Sequence, residues 1–165
     1  MSAIDELLRA NALYASYFTK GDLVAPPARR FAVVACMDAR FDPAKALSLE
    51  EGDAHVIRNA GGLVTDDVLR SLVLSHWELG TQEVFVIGHT GCGLFMLDNE
   101  ALRAKLSAAA GADASGIDFL PFQDLDESIR GSVRRVRESP FLPDSFGATG
   151  LVYDVATGRV RTVEE

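Results

Sequence analysis

The chain has 165 residues, 48% of them hydrophobic and 24% charged, with a formal net charge of −8. That length predicts one domain spanning residues 1–165, able to bury a core of its own. The acidic balance excludes nucleic acid and anionic membranes as expected partners, since both require a basic face.

The opening residues, Met1 to Glu6, lack the basic and apolar regions of a signal peptide, and no apolar run is long enough to span a membrane, so a cytoplasmic protein is expected. Residues 3–18 read as a helix, with Ser2 as N-cap and Asp5 completing a capping box. Ile4, Leu7, Leu8, Ala15 and Phe18 give it an apolar face, and Gly21 ends it. Ala25-Pro26-Pro27 detaches this segment, so residues 1–25 form an N-terminal helical arm. Such an arm must bury its face on its own domain or on another subunit.

Phe31 to Cys36 is a predicted buried strand, followed by a short helix over 43–48 that Asp42-Pro43 opens. Ala54 to Arg58 is a second strand, closed by Asn59-Ala60-Gly61-Gly62. Thr65 caps a helix whose apolar face carries Val68, Leu69, Leu72, Val73 and Trp77. Glu83 to Gly88 is a third, almost wholly apolar strand that runs into His89-Thr90-Gly91-Cys92-Gly93. A helix is expected over 97–110 and a small-residue loop over 111–116. Asp124 caps a further helix lined by Leu125, Ile129, Val133 and Val136. Its Arg130, Arg134, Arg135 and Arg137 read as solvated surface rather than an anion site. Strands over 150–155 and 159–163 flank a turn at Thr157-Gly158. Apolar strands alternating with helices predict an α/β fold, with a mostly parallel central sheet of four to five strands and helices on both sides.

Chemistry concentrates at two strand ends. In Cys36-Met37-Asp38-Ala39-Arg40 a thiol, a carboxylate and a guanidinium occupy alternate positions. If extended geometry persists past Cys36, all three project to one side. His89-x-x-Cys92 sits where another parallel strand ends, and Gly91 and Gly93 permit the turn that aims both donors at one point. Cys36, His89 and Cys92 therefore converge as a Cys2His set, which suits catalytic zinc: three protein ligands and one open position. His55 and His76 are expected to be ordinary histidines. A Cys36–Cys92 disulfide is not needed by a domain of this size, and without a Cys-x-x-Cys motif a redox role is disfavoured. Asp38 has two readings. It either accepts a hydrogen bond from zinc-bound water or closes the site as a fourth ligand. A bidentate pairing with Arg40 favours the first, because it holds the carboxylate off the metal. Phe41 lines the pocket or packs in the core.

Cys-x-Asp-x-Arg at 36–40, Arg58-Asn59-Ala60-Gly61-Gly62, and His89-x-x-Cys92-Gly93 together resemble the β-class carbonic anhydrases, in order and spacing, over about residues 30–93. The chain is short and is similar to the compact bacterial members. The resemblance implies zinc on Cys36, His89 and Cys92, with Asp38 and Arg40 catalytic and the active sites completed by homodimerisation, in which the N-terminal helix wraps over the partner. Higher oligomers are less supported. It implies reversible hydration of CO2 to bicarbonate and a proton by zinc-bound hydroxide. It further implies structural roles for Arg58 and Asn59 and a pocket wall shaped by Gly61 and Gly62. Ala39 departs from the serine most often found there. The rival readings are a carbonyl sulfide or carbon disulfide hydrolase on the same zinc site, and a noncatalytic zinc-binding module. The latter would need neither Asp38 nor Arg40.

Overall fold

The computed structural model describes residues 2–164. Five strands form one sheet: β1 (Phe31–Cys36), β2 (Ala54–Asn59), β3 (Glu83–His89), β4 (Gly147–Tyr153) and β5 (Val160–Thr162). Their order is β2-β1-β3-β4-β5, parallel throughout except for the antiparallel return of β5 on β4. Helices α1 (Ala3–Ser16), α2 (Pro43–Ala46), α3 (Asp66–Trp77), α4 (Asn99–Ala110) and α5 (Leu125–Arg137), with a short 3-10 turn at Ala60–Gly62, complete the described elements.

Every residue of β1 is buried, as expected for a strand with parallel neighbours on both sides and cover on both faces. Ala32 and Val34 point to one face, where they join Val84, Val86, Val68, Leu72, Ile129, Val133 and Val136 in a core that α3 and α5 cover. Phe31, Val33 and Ala35 point to the other face, with Ile87 and Phe41. That second face is closed by Leu47 and Leu49 around α2 rather than by a long helix. Helices on both sides hold in this reduced form.

Local chemistry sets the boundaries. Ser2 and Asp5 form the reciprocal capping box on α1. Asp42 caps α2 by accepting from the amides of Ala44 and Lys45, and Pro43 sits in its first turn. Asp124 caps α5, and Gly111 ends α4 in the left-handed conformation. On α3, Val68 and Leu72 are buried, whereas Trp77 is 64% exposed, its indole donating to the Phe141 carbonyl. The expected apolar face of α3 is therefore shorter than the sequence pattern. On α5 the arginines are engaged. Arg130 and Arg134 pair with Glu127, Arg135 with Asp66, and Arg137 bonds the Ala148 carbonyl.

The arm differs from the rest. Helix α1 has no buried residue, and Ile4, Leu7, Leu8 and Phe18 lie exposed. Its apolar face does not dock on its own domain. No helix among the described residues is long and apolar enough to cross a membrane.

Candidate active site

After β1 the chain crosses to the β2 side; after β3 it continues to the β4 side. Neighbouring strands whose chains depart in opposite directions leave a crevice at their C-terminal ends. Cys36 is the last residue of β1 and His89 the last of β3, so the topology places both at that crevice.

Cys36, His89 and Cys92 are all buried, with one donor atom from each lying within 4.8 Å of the others. The thiols are free. His89 is 1% exposed, and its Nδ1 lies 3.0 Å from the Thr90 carbonyl. A carbonyl only accepts, so Nδ1 carries the hydrogen and Nε2 presents a lone pair. That Nε2 is buried with no hydrogen-bond partner. An orphaned imidazole nitrogen facing two buried thiols fits a soft divalent cation, and Cys2His is a zinc donor set. Burial pushes the Cys92 thiol up, and the neighbouring Cys36 adds to this. A cation at the cluster reverses that preference, because coordination deprotonates the thiols. Thr90 anchors the loop to the end of β4, donating its amide to the Tyr153 carbonyl and accepting from the Val155 amide. Gly91 takes the left-handed conformation, with φ 65°, whereas Gly93 has no positive φ.

The expectation of an extended chain through Arg40 is corrected. Strand β1 stops at Cys36, and the Met37 amide makes one more ladder bond, to the Asn59 carbonyl. The chain then turns, with the Phe41 amide donating to the Asp38 carbonyl and the Arg40 amide to Asp38 Oδ1. The turn, not alternation along a strand, brings Asp38 and Arg40 together. Arg40 Nε donates to Asp38 Oδ1 at 2.9 Å and Nη2 to Oδ2 at 2.7 Å, a bidentate pair. The same Nη2 donates to the Gly91 carbonyl at 2.9 Å, tying the two loops together. These bonds hold the Asp38 carboxyl well below the usual carboxylate range. Asp38 Oδ2 lies 3.7 Å from His89 Nε2, beside the cluster and turned towards Arg40.

The remaining motif residues form the frame. Asn59 closes the turn after β2, its Nδ2 donating to the Leu63 carbonyl and its Oδ1 accepting the Leu63 amide. Gly62 has φ +66°, and a Cβ there would stand 2.8 Å from the Cys36 nitrogen and 2.9 Å from the Ile87 carbonyl oxygen. No side chain fits between this turn and the ends of β1 and β3. Arg58 donates to three main-chain carbonyls of the 36–41 turn, contacts that the motif alone did not disclose. Phe41 is 1% exposed and stacks on Tyr153 with centroids 4.2 Å apart, so it belongs to the core. His55 pairs with Ser75 Oγ and His76 with the Thr81 carbonyl, so both are packed histidines outside the cluster.

Residues 31–160 match the family model for carbonic anhydrase. The chain is 41% identical to β-carbonic anhydrase 1 of Mycobacterium tuberculosis, with 99% of each chain covered. It is 34% identical to a carbon disulfide hydrolase of Acidithiobacillus thiooxidans, covering 82% of this chain and 78% of that one. The carbonic anhydrase structure from Streptococcus mutans superposes with a TM-score of 0.94 at 44% identity, covering 99% of both chains. With the strand-end cluster, these similarities establish that the chain belongs to the β-carbonic anhydrase family.

Proposed function

We propose that the protein is a zinc-dependent carbonic anhydrase catalysing the reversible hydration of CO2 to bicarbonate and a proton. The observation that carries this reading is the buried Cys36, His89, Cys92 triangle with its orphaned Nε2, set beside an Asp38 carboxylate that Arg40 engages. A zinc ion on these three residues would supply an activated water molecule and leave one position open for it. The chain supplies the rest. Asp38, kept ionised by Arg40, would accept a hydrogen bond from that water and orient it. Arg40, fixed by the Gly91 carbonyl, keeps Asp38 from becoming a fourth ligand, so we read the arrangement as the open form. With zinc held there, the buried Cys36 and Cys92 would be deprotonated and would provide two negative charges that match the dication.

We further propose a single catalytic domain whose arm, residues 1–25, engages a second copy in a homodimer. Supporting this, Ile4, Leu7, Leu8 and Leu13 on α1 are more than half exposed in the single chain. Two free cysteines fit a reducing compartment, and the reading places the enzyme in the cytoplasm. A second reading, hydrolysis of carbon disulfide or carbonyl sulfide, is favoured by the likeness to carbon disulfide hydrolases at 34% and 33% identity.

The test is stopped-flow CO2 hydration on metal-quantified protein across neutral to alkaline pH, with carbonyl sulfide and carbon disulfide in parallel. Rapid CO2 turnover that scales with zinc content is expected. Full zinc occupancy without CO2 turnover overturns the first reading, and turnover confined to the sulfur substrates establishes the second.

A further inference from the structure

We propose that Arg58 is a positioning residue for this reaction: from the neighbouring strand it clamps the turn that carries Cys36, Asp38 and Arg40. Arg58 stands opposite Ala35 in the β1–β2 register, one residue before the metal-ligand position. Its guanidinium leaves the sheet edge and reaches across the turn. Nε donates to the Cys36 carbonyl at 2.9 Å, and Nη2 donates to the carbonyls of Asp38 at 2.8 Å and Phe41 at 2.7 Å. One planar cation thus fixes the start, middle and end of a single turn. These three bonds go to the main chain, so Arg58 acts through the turn rather than on the reacting atoms.

The arrangement explains how a turn leaving the sheet edge keeps its geometry. The last ladder bond on the β2 side is that of the Met37 amide to the Asn59 carbonyl. Beyond it, two cations brace the turn from opposite sides. Arg40 ties it to the β3 loop through the Gly91 carbonyl, and Arg58 ties it to β2. Loss of either brace frees Asp38 to rotate about the turn, and misplacing an outer-shell partner of a metal site costs about 10- to 100-fold in affinity or activity. Lysine does not substitute. Its ammonium is a compact point charge, whereas the three carbonyls are met by two nitrogens of a rigid fork.

The kinetic part of this inference rests on the carbonic anhydrase reading; the clamp itself does not. The experiment compares wild type with Arg58→Ala and Arg58→Lys as zinc-loaded protein, by kinetics and by amide hydrogen exchange. Expected in both variants is a kcat lower by about 10- to 100-fold, with zinc content and sedimentation unchanged. Faster exchange confined to residues 37–41 should accompany it. Arg58 is exposed, so guanidinium ion can reach the vacated position in Arg58→Ala; millimolar guanidinium should restore much of the kcat and methylammonium should not. Wild-type kcat in both variants overturns the proposal, as does a loss that disappears once corrected for zinc or dimer content. A loss without faster exchange at 37–41 overturns it too. Should Arg58→Ala fold poorly, Arg58→Gln keeps the stem and one amide donor, and the same criteria apply to it. If wild type itself does not hydrate CO2, the functional reading fails, and exchange at 37–41 alone decides the clamp.

Discussion

The strand-end turns and the N-terminal arm are built on opposite principles. At the strand ends, Cys36 is 5% exposed and His89 1%, and main-chain and side-chain bonds hold the turns in place. In the arm, α1 is a well-capped helix of 14 residues with none of them buried. Exposed contacts tie it to the sheet domain, among them Tyr14 to Glu51 and Lys20 to Glu50 and Glu51. Exposed ion pairs contribute little in water. The comparison teaches that the Cys-His-Cys cluster is a product of the domain's own core, whereas the arm is a finished helix with its apolar face exposed.

Changes that empty the cluster should break this contrast most completely. Cys36→Ser, His89→Ala and Cys92→Ser are each expected to lose zinc and to reduce CO2 hydration to background, while α1 keeps its helicity. Metal analysis and stopped-flow assay check this, and retained zinc with activity in any of them would remove that residue from the ligand set. Next comes the frame. Gly62→Ala places a Cβ 2.8 Å from a backbone nitrogen at a left-handed position, so unfolding free energy should fall by about 2 kcal/mol or more. Denaturant titration reads this, and an unchanged midpoint would show that the turn can shift.

The dyad ranks third. Asp38→Asn and Arg40→Ala should retain zinc and lose kcat by up to about 100-fold, the upper scale for an outer-shell partner that orients a metal-bound group. Full activity in both would deny the pair its role. The arm gives a change of assembly rather than chemistry. Replacing Leu7 and Leu8 with glutamate should shift sedimentation from dimer to monomer and abolish the concentration dependence of the thermal midpoint that dimerisation brings. A variant that remains dimeric would place the interface elsewhere. The smallest effect concerns pH. Tyr14 and then Lys20 hold the Glu51 carboxyl below its usual value. A carboxyl depressed in the folded state adds stability above its unfolded pKa and loses it as pH falls through the folded one. The tether should therefore hold at neutral pH and loosen only in acid below the ordinary glutamate range, read as faster amide exchange in residues 3–16. Glu51→Gln should remove that dependence.

The sequence reading reached the fold closely because β1 and β3 are continuous apolar runs and the helix starts carry explicit caps. It missed the reach of α3, because Trp77 satisfies the apolar period yet spends its indole on the Phe141 carbonyl. It also missed the contacts of Arg58. A basic residue on an edge strand gives no sequence signal of the carbonyls it will meet, since those belong to a turn more than a dozen positions earlier in the chain.

By itself the sequence singled out the candidate donors Cys36, His89 and Cys92, which the fold brings together. A Cys-x-Asp-x-Arg motif and a His-x-x-Cys motif, each at the end of an apolar strand in an alternating α/β chain, leave little choice of chemistry. Residue type decides what can bind a soft metal, and strand order is constrained by the alternation. Only the tertiary structure decided the geometry around those donors. The Gly91 carbonyl that holds Arg40 and the three bonds from Arg58 join segments distant in the chain, and they brace the turn in which Asp38 pairs with Arg40. Such contacts depend on strand register and turn geometry, which emerge when the whole sheet packs and which no local pattern encodes.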